Sequence, residues 1–346
     1  MRLSVRTVPI QPANPWRTAN GAGADNGESV IVRLSDADGV AAVGEASPAN
    51  VYGENVMGTV QAIGRLDPSR LSFLDLEGSQ QYLANLANLP VAAICAINTA
   101  LLDGAAKRAR QPLYDFLKLG FRENQHVTSF SIGIDTPDVI RKKVAEAAQY
   151  PVLKLKIGGP RDRENFAALR SVAPGKPVRV DANEGWKSKE EALRMLEWLA
   201  AADENIQFVE QPMPRNTPLA DMVWLKERSP LPVFADESCH TVKDVPHCAE
   251  GFHGVNVKLI KTGGVSMAYE TLRAARQAGL KTMIGCMLET SVLISAAACL
   301  AELADYLDLD GNLLITNDPF AGVTAANGVL SFAQAREPFG LRAGSR

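Results

Sequence analysis

The sequence predicts an α/β protein: a barrel of alternating parallel strands and helices, preceded by a smaller α+β domain. Three observations carry that prediction. From Thr128 to about Ile315, short β-rich apolar runs alternate with helical stretches. Residues 1–125 keep another rhythm, with alternating strands first and an alanine- and leucine-rich helical segment after. In the later part, lysines and carboxylates close successive runs about one strand plus one helix apart. Strand–helix alternation argues for a parallel barrel, and strands followed by helices argue for an α+β unit.

The elements follow in order. SVRTVPIQP and ESVIVRLSDADGVAAVGEASP alternate apolar and polar positions between turn residues, as antiparallel strands do. Pro90 to Leu119 carries apolar residues at helical spacing. Two loops, 19–29 and 47–58, are rich in small and polar residues and read as lids over the barrel mouth. TSFSIGI opens the barrel, followed by a helix near Pro137–Gln149 and the strand VLKLKIG. RVDAN, QFVEQ, VFADE, VNVKL, TMIGCM and LLIT come next, separated by helices such as SKEEALRMLEWLAAA and SMAYETLRAARQAG, which makes eight strand-like runs. The expected division is a cap over 1–125, a barrel over 126–320, and a tail over 321–346 that returns to the cap.

The 346 residues accommodate one barrel of this size and a smaller domain. A net charge of −3, with no Lys/Arg-rich tract, points away from nucleic acid and membrane surfaces. No apolar run approaches the ~20 residues of a membrane span, and the N-terminus lacks the apolar stretch of a secretory signal. Five scattered cysteines read as reduced core thiols rather than disulfides. Together these features lead us to expect a cytoplasmic protein.

The chemistry lies at the ends of the runs. Lys154 and Lys156 are followed by Asp181, Glu210, Asp236 and Lys258, at intervals of 25, 29, 26 and 22 residues from Lys156 onward. In a parallel barrel such residues converge at the C-terminal mouth, where active sites of this fold lie. One such acid alone would read as a helix cap, but three in series make a metal site. An all-oxygen donor set without a suitably spaced histidine suits a hard cation, Mg²⁺. Alternation along a strand turns Lys154 and Lys156 inward and Leu155 and Ile157 toward the helices. The paired lysines and the metal are expected to depress one another's amine pKa until a neutral amine is accessible at about pH 7. Such a site holds a carboxylate on the metal and removes the neighbouring α-proton, the metal stabilising the enediolate. With Lys258 several strands away from Lys156, the proton can leave one face and return on the other. The outcome is racemisation or epimerisation.

These residues resemble the enolase superfamily, whose members pair a Lys or His base with Mg²⁺. The resemblance spans essentially the whole chain and implies a modified (β/α)₇β barrel beneath an α+β cap. KxK on the second strand, the D, E and D ligands and a sixth-strand lysine match the muconate-lactonizing subgroup. Within it, Asp308 and Asp310 of YLDLDGNLLI resemble the DxD pair with which dipeptide epimerases hold the substrate ammonium group. NVKLIKTGG, GCMLETS and NDPFAG are similar to that family too, which places Met287, Glu289 and the lid residue Tyr52 beside the substrate. The resemblance thus implies a Mg²⁺-dependent L-Ala-D/L-Xaa epimerase acting on small dipeptides, with homo-oligomeric assembly left open. The lids depart from the L-Ala-D/L-Glu pattern: Arg17 and Arg33 bracket a stretch without a basic residue, and Val51 stands where some relatives carry arginine. Asp25, Glu28 and Glu54 make these loops acidic. The epimerised residue is therefore glutamate or a neutral or cationic residue. The competing readings are an N-acylamino acid racemase or o-succinylbenzoate synthase, and a metal-free Schiff-base aldolase using Lys156 or Lys258.

Overall fold

The computed structural model describes residues 1–21 and 27–346. Asp25 of the first lid loop lies outside the described residues. Strands β1 (Arg2–Ile10), β2 (Gly27–Ser35) and β3 (Ala41–Ala46) form an antiparallel sheet in the order β1-β2-β3. Helices α1 (Val56–Gly64) and α2 (Leu76–Ala84) begin at Asn55 and Asp75, whose side chains accept from the Gly58 and Gly78 N–H groups.

Helix α3 (Val91–Arg108) lies across β3, and its small residues permit an unusually close approach. A Cβ at Gly44 would stand 2.0 Å from the Ala96 carbonyl oxygen. Gly44→Ala must therefore push sheet and helix apart, a cost of about 1–3 kcal/mol for an overpacked core. A clear drop in the thermal midpoint is the expected result, measured by circular dichroism. The helical segment expected over Pro90–Leu119 breaks after α3, where Arg110 takes φ +54°, and resumes as the short α4 (Leu113–Phe116).

After β4 (His126–Val127), the barrel strands are β5 (Phe130–Ile132), β6 (Leu153–Lys156), β7 (Val178–Asp181), β8 (Ile206–Glu210), β9 (Val233–Ala235), β10 (Gly254–Lys258), β11 (Lys281–Gly285) and β12 (Tyr306–Asp308). They pair in parallel, each with its neighbours in sequence. A parallel bridge from Thr128 to Leu307 joins the last strand back to the segment entering β5. Helices α5 (Pro137–Glu146), α6 (Asp162–Val172), α7 (Lys189–Ala202), α8 (Leu219–Arg228), α9 (Val245–Gly251), α10 (Leu259–Thr262), α11 (Val265–Gln277) and α12 (Ser291–Ala298) fill the connections. No helix follows β12 before the C-terminal hairpins, so the barrel is (β/α)₇β. One expected element is corrected. The eighth strand is Tyr306–Asp308, whereas LLIT forms a turn whose Ile315 only bridges to Pro12.

Alternation along these strands decides what faces the interior. Phe208, Phe234, Met283 and Tyr306 meet low in the barrel, with Phe208 and Phe234 stacked at 4.1 Å. The Arg179 guanidinium lies 5.1 Å from the Tyr306 ring centre and donates to Gln207 Oε1. Two residues further along, the inward positions are Asp181, Glu210, Asp236 and Asp308. The floor is thus aromatic and closed, and the ionisable groups stand above it at the mouth.

One buried carboxyl fastens cap to barrel. Glu45 on β3 accepts from Ser29 Oγ (2.6 Å), the Thr290 N–H and hydroxyl (2.9 and 2.6 Å) and the Leu293 N–H (3.0 Å). It thereby satisfies the first turn of α12 from the other domain. The C-terminal segment is held against α3, where Asp103 accepts from the Val43 and Leu341 N–H groups.

Candidate active site

The strand register brings the predicted residues together. Lys156, Asp181 and Glu210 are direct neighbours across β6, β7 and β8. Asp181, Glu210 and Asp236 are fully buried, and one carboxylate oxygen from each lies within 4.8 Å of the others. Lys156 Nζ lies 2.6 Å from Asp181 Oδ2, and Lys258 Nζ lies 2.8 Å from Asp236 Oδ2. Five successive strands contribute, and β6 and β10 are four apart in an eight-stranded barrel, so Lys156 and Lys258 face each other across the mouth.

Lys154 has a different place from its neighbour. Its ammonium group is buried beneath the site, 2.6 Å from Asp308, 2.7 Å from Glu210 and 3.1 Å from Asp181. Burial works to lower its pKa, but Asp308, Glu210 and Asp181 outweigh it and hold the amine well above its ordinary value. For Lys258, burial is likewise outweighed, chiefly by Asp236.

The carboxylates respond in opposite directions. Burial and the Asp181 charge push Glu210 up to about 7, although Lys154 pulls the other way. Asp236 is buried too, yet Lys258 and Lys261 hold it well below the usual carboxylate range. An oxygen triad this close and this buried is a poor arrangement for three free anions. It fits a hard divalent cation, which takes carboxylate oxygens and needs their charge.

Above the triad lies a cavity of about 1280 Å³ between barrel mouth and cap, lined among others by Lys156, Lys258, Tyr52, Met287, Asp308 and Asp310. The DxD pair is set by β5 and the residue before it. Ser129 Oγ donates to Asp308 Oδ1 (2.7 Å), and the Ser131 N–H donates to Asp310 Oδ2 (2.6 Å). Burial and the neighbouring Asp308 raise Asp310 to about 7, whereas Lys154 and Lys156 overcome burial and keep Asp308 at about 2. Tyr52 packs edge-on against His240 at 5.4 Å. Glu289 is not among the residues lining the cavity; it is 2% exposed and accepts from the Met287 N–H at 3.1 Å.

Sequence reasoning missed four polar residues here. Asn256 Nδ2 donates to Glu210 Oε1 at 2.6 Å, and Lys261 Nζ reaches Asp236 Oδ1 at 2.6 Å. Glu237 lines the cavity beside the triad and accepts from Asn20 at 3.0 Å and Asn183 at 3.4 Å. Glu237 was available as the residue directly after Asp236, and Asn183 as the residue two after Asp181. Asn256 was available too, as the inward residue two before Lys258.

Two family models match this architecture: the mandelate racemase/muconate lactonizing enzyme N-terminal domain over residues 2–118, and the enolase C-terminal domain-like family over 139–325. The chain belongs to the enolase superfamily. Among its superfamily relatives, it is 61% identical to the L-Ala-D/L-amino acid epimerase of Pedosphaera parvula, covering 99% of both chains. It is 40% identical to the L-Ala-D/L-Glu epimerase of Bacteroides thetaiotaomicron, over 85% of this chain and 76% of that one. The crystal structure of the dipeptide epimerase from Enterococcus faecalis, complexed with Mg and L-Leu-L-Tyr, superposes with a TM-score of 0.91 at 28% identity over 99% of each chain.

Proposed function

We propose that this enolase-superfamily chain is a Mg²⁺-dependent dipeptide epimerase. The observation that carries the reading is the arrangement of Lys156 and Lys258 on opposite sides of a buried carboxylate triad, with Asp308 and Asp310 across the mouth. Asp181, Glu210 and Asp236 would hold the cation. When bound, it would supply positive charge beside the substrate carboxylate and stabilise the anion that develops there.

The chain's own groups do the rest. Asp308 and Asp310 pair with the substrate ammonium group, so the dipeptide spans the mouth from β12 toward β8. One lysine, as the free amine, takes the α-proton: the C–H bond breaks, an N–H bond forms, and the electron pair moves into the carboxylate. The opposite lysine, as the ammonium ion, returns a proton to the other face. Lys154 stays paired below and keeps three carboxylates in place.

Two experiments test this reading. Incubation of a dipeptide library in D₂O, read by mass spectrometry, should show one deuterium at the α-carbon of the second residue, and chiral analysis should show both antipodes. No incorporation with any dipeptide would refute the function. Asp308→Asn should lower kcat/KM for dipeptides by about tenfold or more, consistent with loss of a charge-assisted contact. N-acylamino acids, which lack the ammonium group, should lose much less; equal losses would end the ammonium role of Asp308.

A further inference from the structure

We infer that Arg215 and Glu184 are positioning residues for one of the two bases: they clamp the second lid loop so that its Tyr52 stands beside Lys258. This rests on the proposed function, in which Lys258 serves one face of the α-carbon. The loop, residues 47–58, is tied down at three points. Ser47 Oγ donates to the Leu288 carbonyl at 3.3 Å. Glu54 accepts from the Val91 and Ala92 N–H groups at 2.5 and 3.1 Å, and so caps the first turn of α3. Between these anchors, Arg215 Nη1 donates to the Val51 carbonyl at 3.2 Å, in the middle of the 3₁₀ turn Asn50–Tyr52.

Arg215 is itself held in one orientation. Its Nε and Nη2 donate to the two carboxylate oxygens of Glu184 at 3.0 and 2.6 Å. Its backbone N–H donates to the same carboxylate at 2.6 Å. A two-point pair fixes the plane of the guanidinium, which a lysine ammonium could not reproduce. Glu184 takes φ +65° and Asn183 before it φ +41°, backbone that residues other than glycine rarely adopt. The Glu184 N–H donates to the Gln211 carbonyl at 2.9 Å and steadies that turn. Such backbone persists where its surroundings fix it, and it gathers at functional sites. Here it carries the loops after β7 and β8 to the lid.

The clamp sets Tyr52. The Arg215 guanidinium lies 5.8 Å from the centre of the Tyr52 ring, and the His240 ring meets it edge-on at 5.4 Å. Tyr52 and Lys258 line the same cavity. Burial pushes the phenol well above its ordinary value, and of the charges around it Lys258 acts most strongly, in the opposite sense. A neutral hydroxyl there can accept from the ammonium or donate to the free amine, so it keeps Lys258 aimed in both states. Lys156 stands across the mouth against Asp181. The clamp therefore serves one base of the pair.

That asymmetry is what the test reads. The Mg²⁺-loaded full-length enzyme is given, in D₂O, the L,L and L,D forms of whichever library dipeptide exchanges fastest. Lys258→Ala and Lys156→Ala show which antipode each lysine serves. Interconversion needs both lysines and should fall equally in both directions. Exchange without inversion should not: Arg215→Met should slow it about tenfold or more on the Lys258 antipode and leave the other within about twofold. Tyr52→Phe should give the same split, and Arg215→Lys, which keeps the charge without the fork, should fall between. Glu184→Gln should add nothing once Arg215 is methionine, because it acts through Arg215. Equal losses on both antipodes, as a merely structural ion pair would give, overturn the inference and leave the epimerase reading standing; so does no loss at all. A thermal melt checks the fold, and if Arg215→Met does not fold, Tyr52→Phe decides alone, since it leaves the ion pair intact. No exchange by the unmodified enzyme with any dipeptide refutes the epimerase reading and the clamp's role with it.

Discussion

Alanine at Lys258 should abolish interconversion of the two antipodes while sparing proton exchange on one of them. Lys156 can still remove the α-proton from its own side and return solvent deuterium to that same side. One antipode of the second residue should then gain deuterium without inversion. Lys156→Ala should give the mirror result, with the other antipode exchanging. Loss of a positioned general acid or base costs roughly 10²–10⁴-fold in rate. The mutants differ in which antipode survives, and this separates a two-base device from general damage to the site. Mass spectrometry with chiral chromatography reads both quantities from one sample. Full two-way activity in either mutant would show that its lysine is not a base.

Removing the cation, or weakening its site, should have an effect of similar size. EDTA should stop exchange and excess Mg²⁺ should restore it; a Schiff-base aldolase would ignore EDTA and be trapped by borohydride. Glu210→Gln should weaken Mg²⁺ binding by about tenfold or more in calorimetry, since a neutral amide replaces one of three anionic ligands. The fold should survive, because Lys154 keeps Asp181 and Asp308 as partners at 3.1 and 2.6 Å. A thermal melt checks that point. Unchanged Mg²⁺ affinity in a folded Glu210→Gln protein would remove Glu210 from the ligand set.

The barrel and its triad were legible because period-two alternation and the βα interval are local properties of the chain. VLKLKIG declares which face of β6 each residue takes, and the structure keeps that division: Lys154 and Lys156 point in, Leu155 and Ile157 join the core beneath the helices. The eighth strand was misplaced for a related reason. YLDLD carries its acids inward, which dilutes its apolar signal below that of LLIT. Spatial neighbours fix it instead, through the pairing of Met283 with Tyr306 and Gly285 with Asp308. The carboxylates folded against Lys154 were less legible, because sequence shows the two lysines next to each other but not that Asp308, Glu210 and Asp181 surround Lys154. Asp308 and Asp310 were recognised only through family likeness, and Glu45 not at all, since its partners lie 245 and 248 residues away.

Glu45 has a consequence for how this enzyme can move. One desolvated carboxyl serves donors in both domains, so lifting the cap off α12 would strand several hydrogen bonds at once. Cap and barrel are therefore riveted together and should travel as one body through each turnover. Entry and exit of substrate then fall to the segments that border the cavity rather than to that joint.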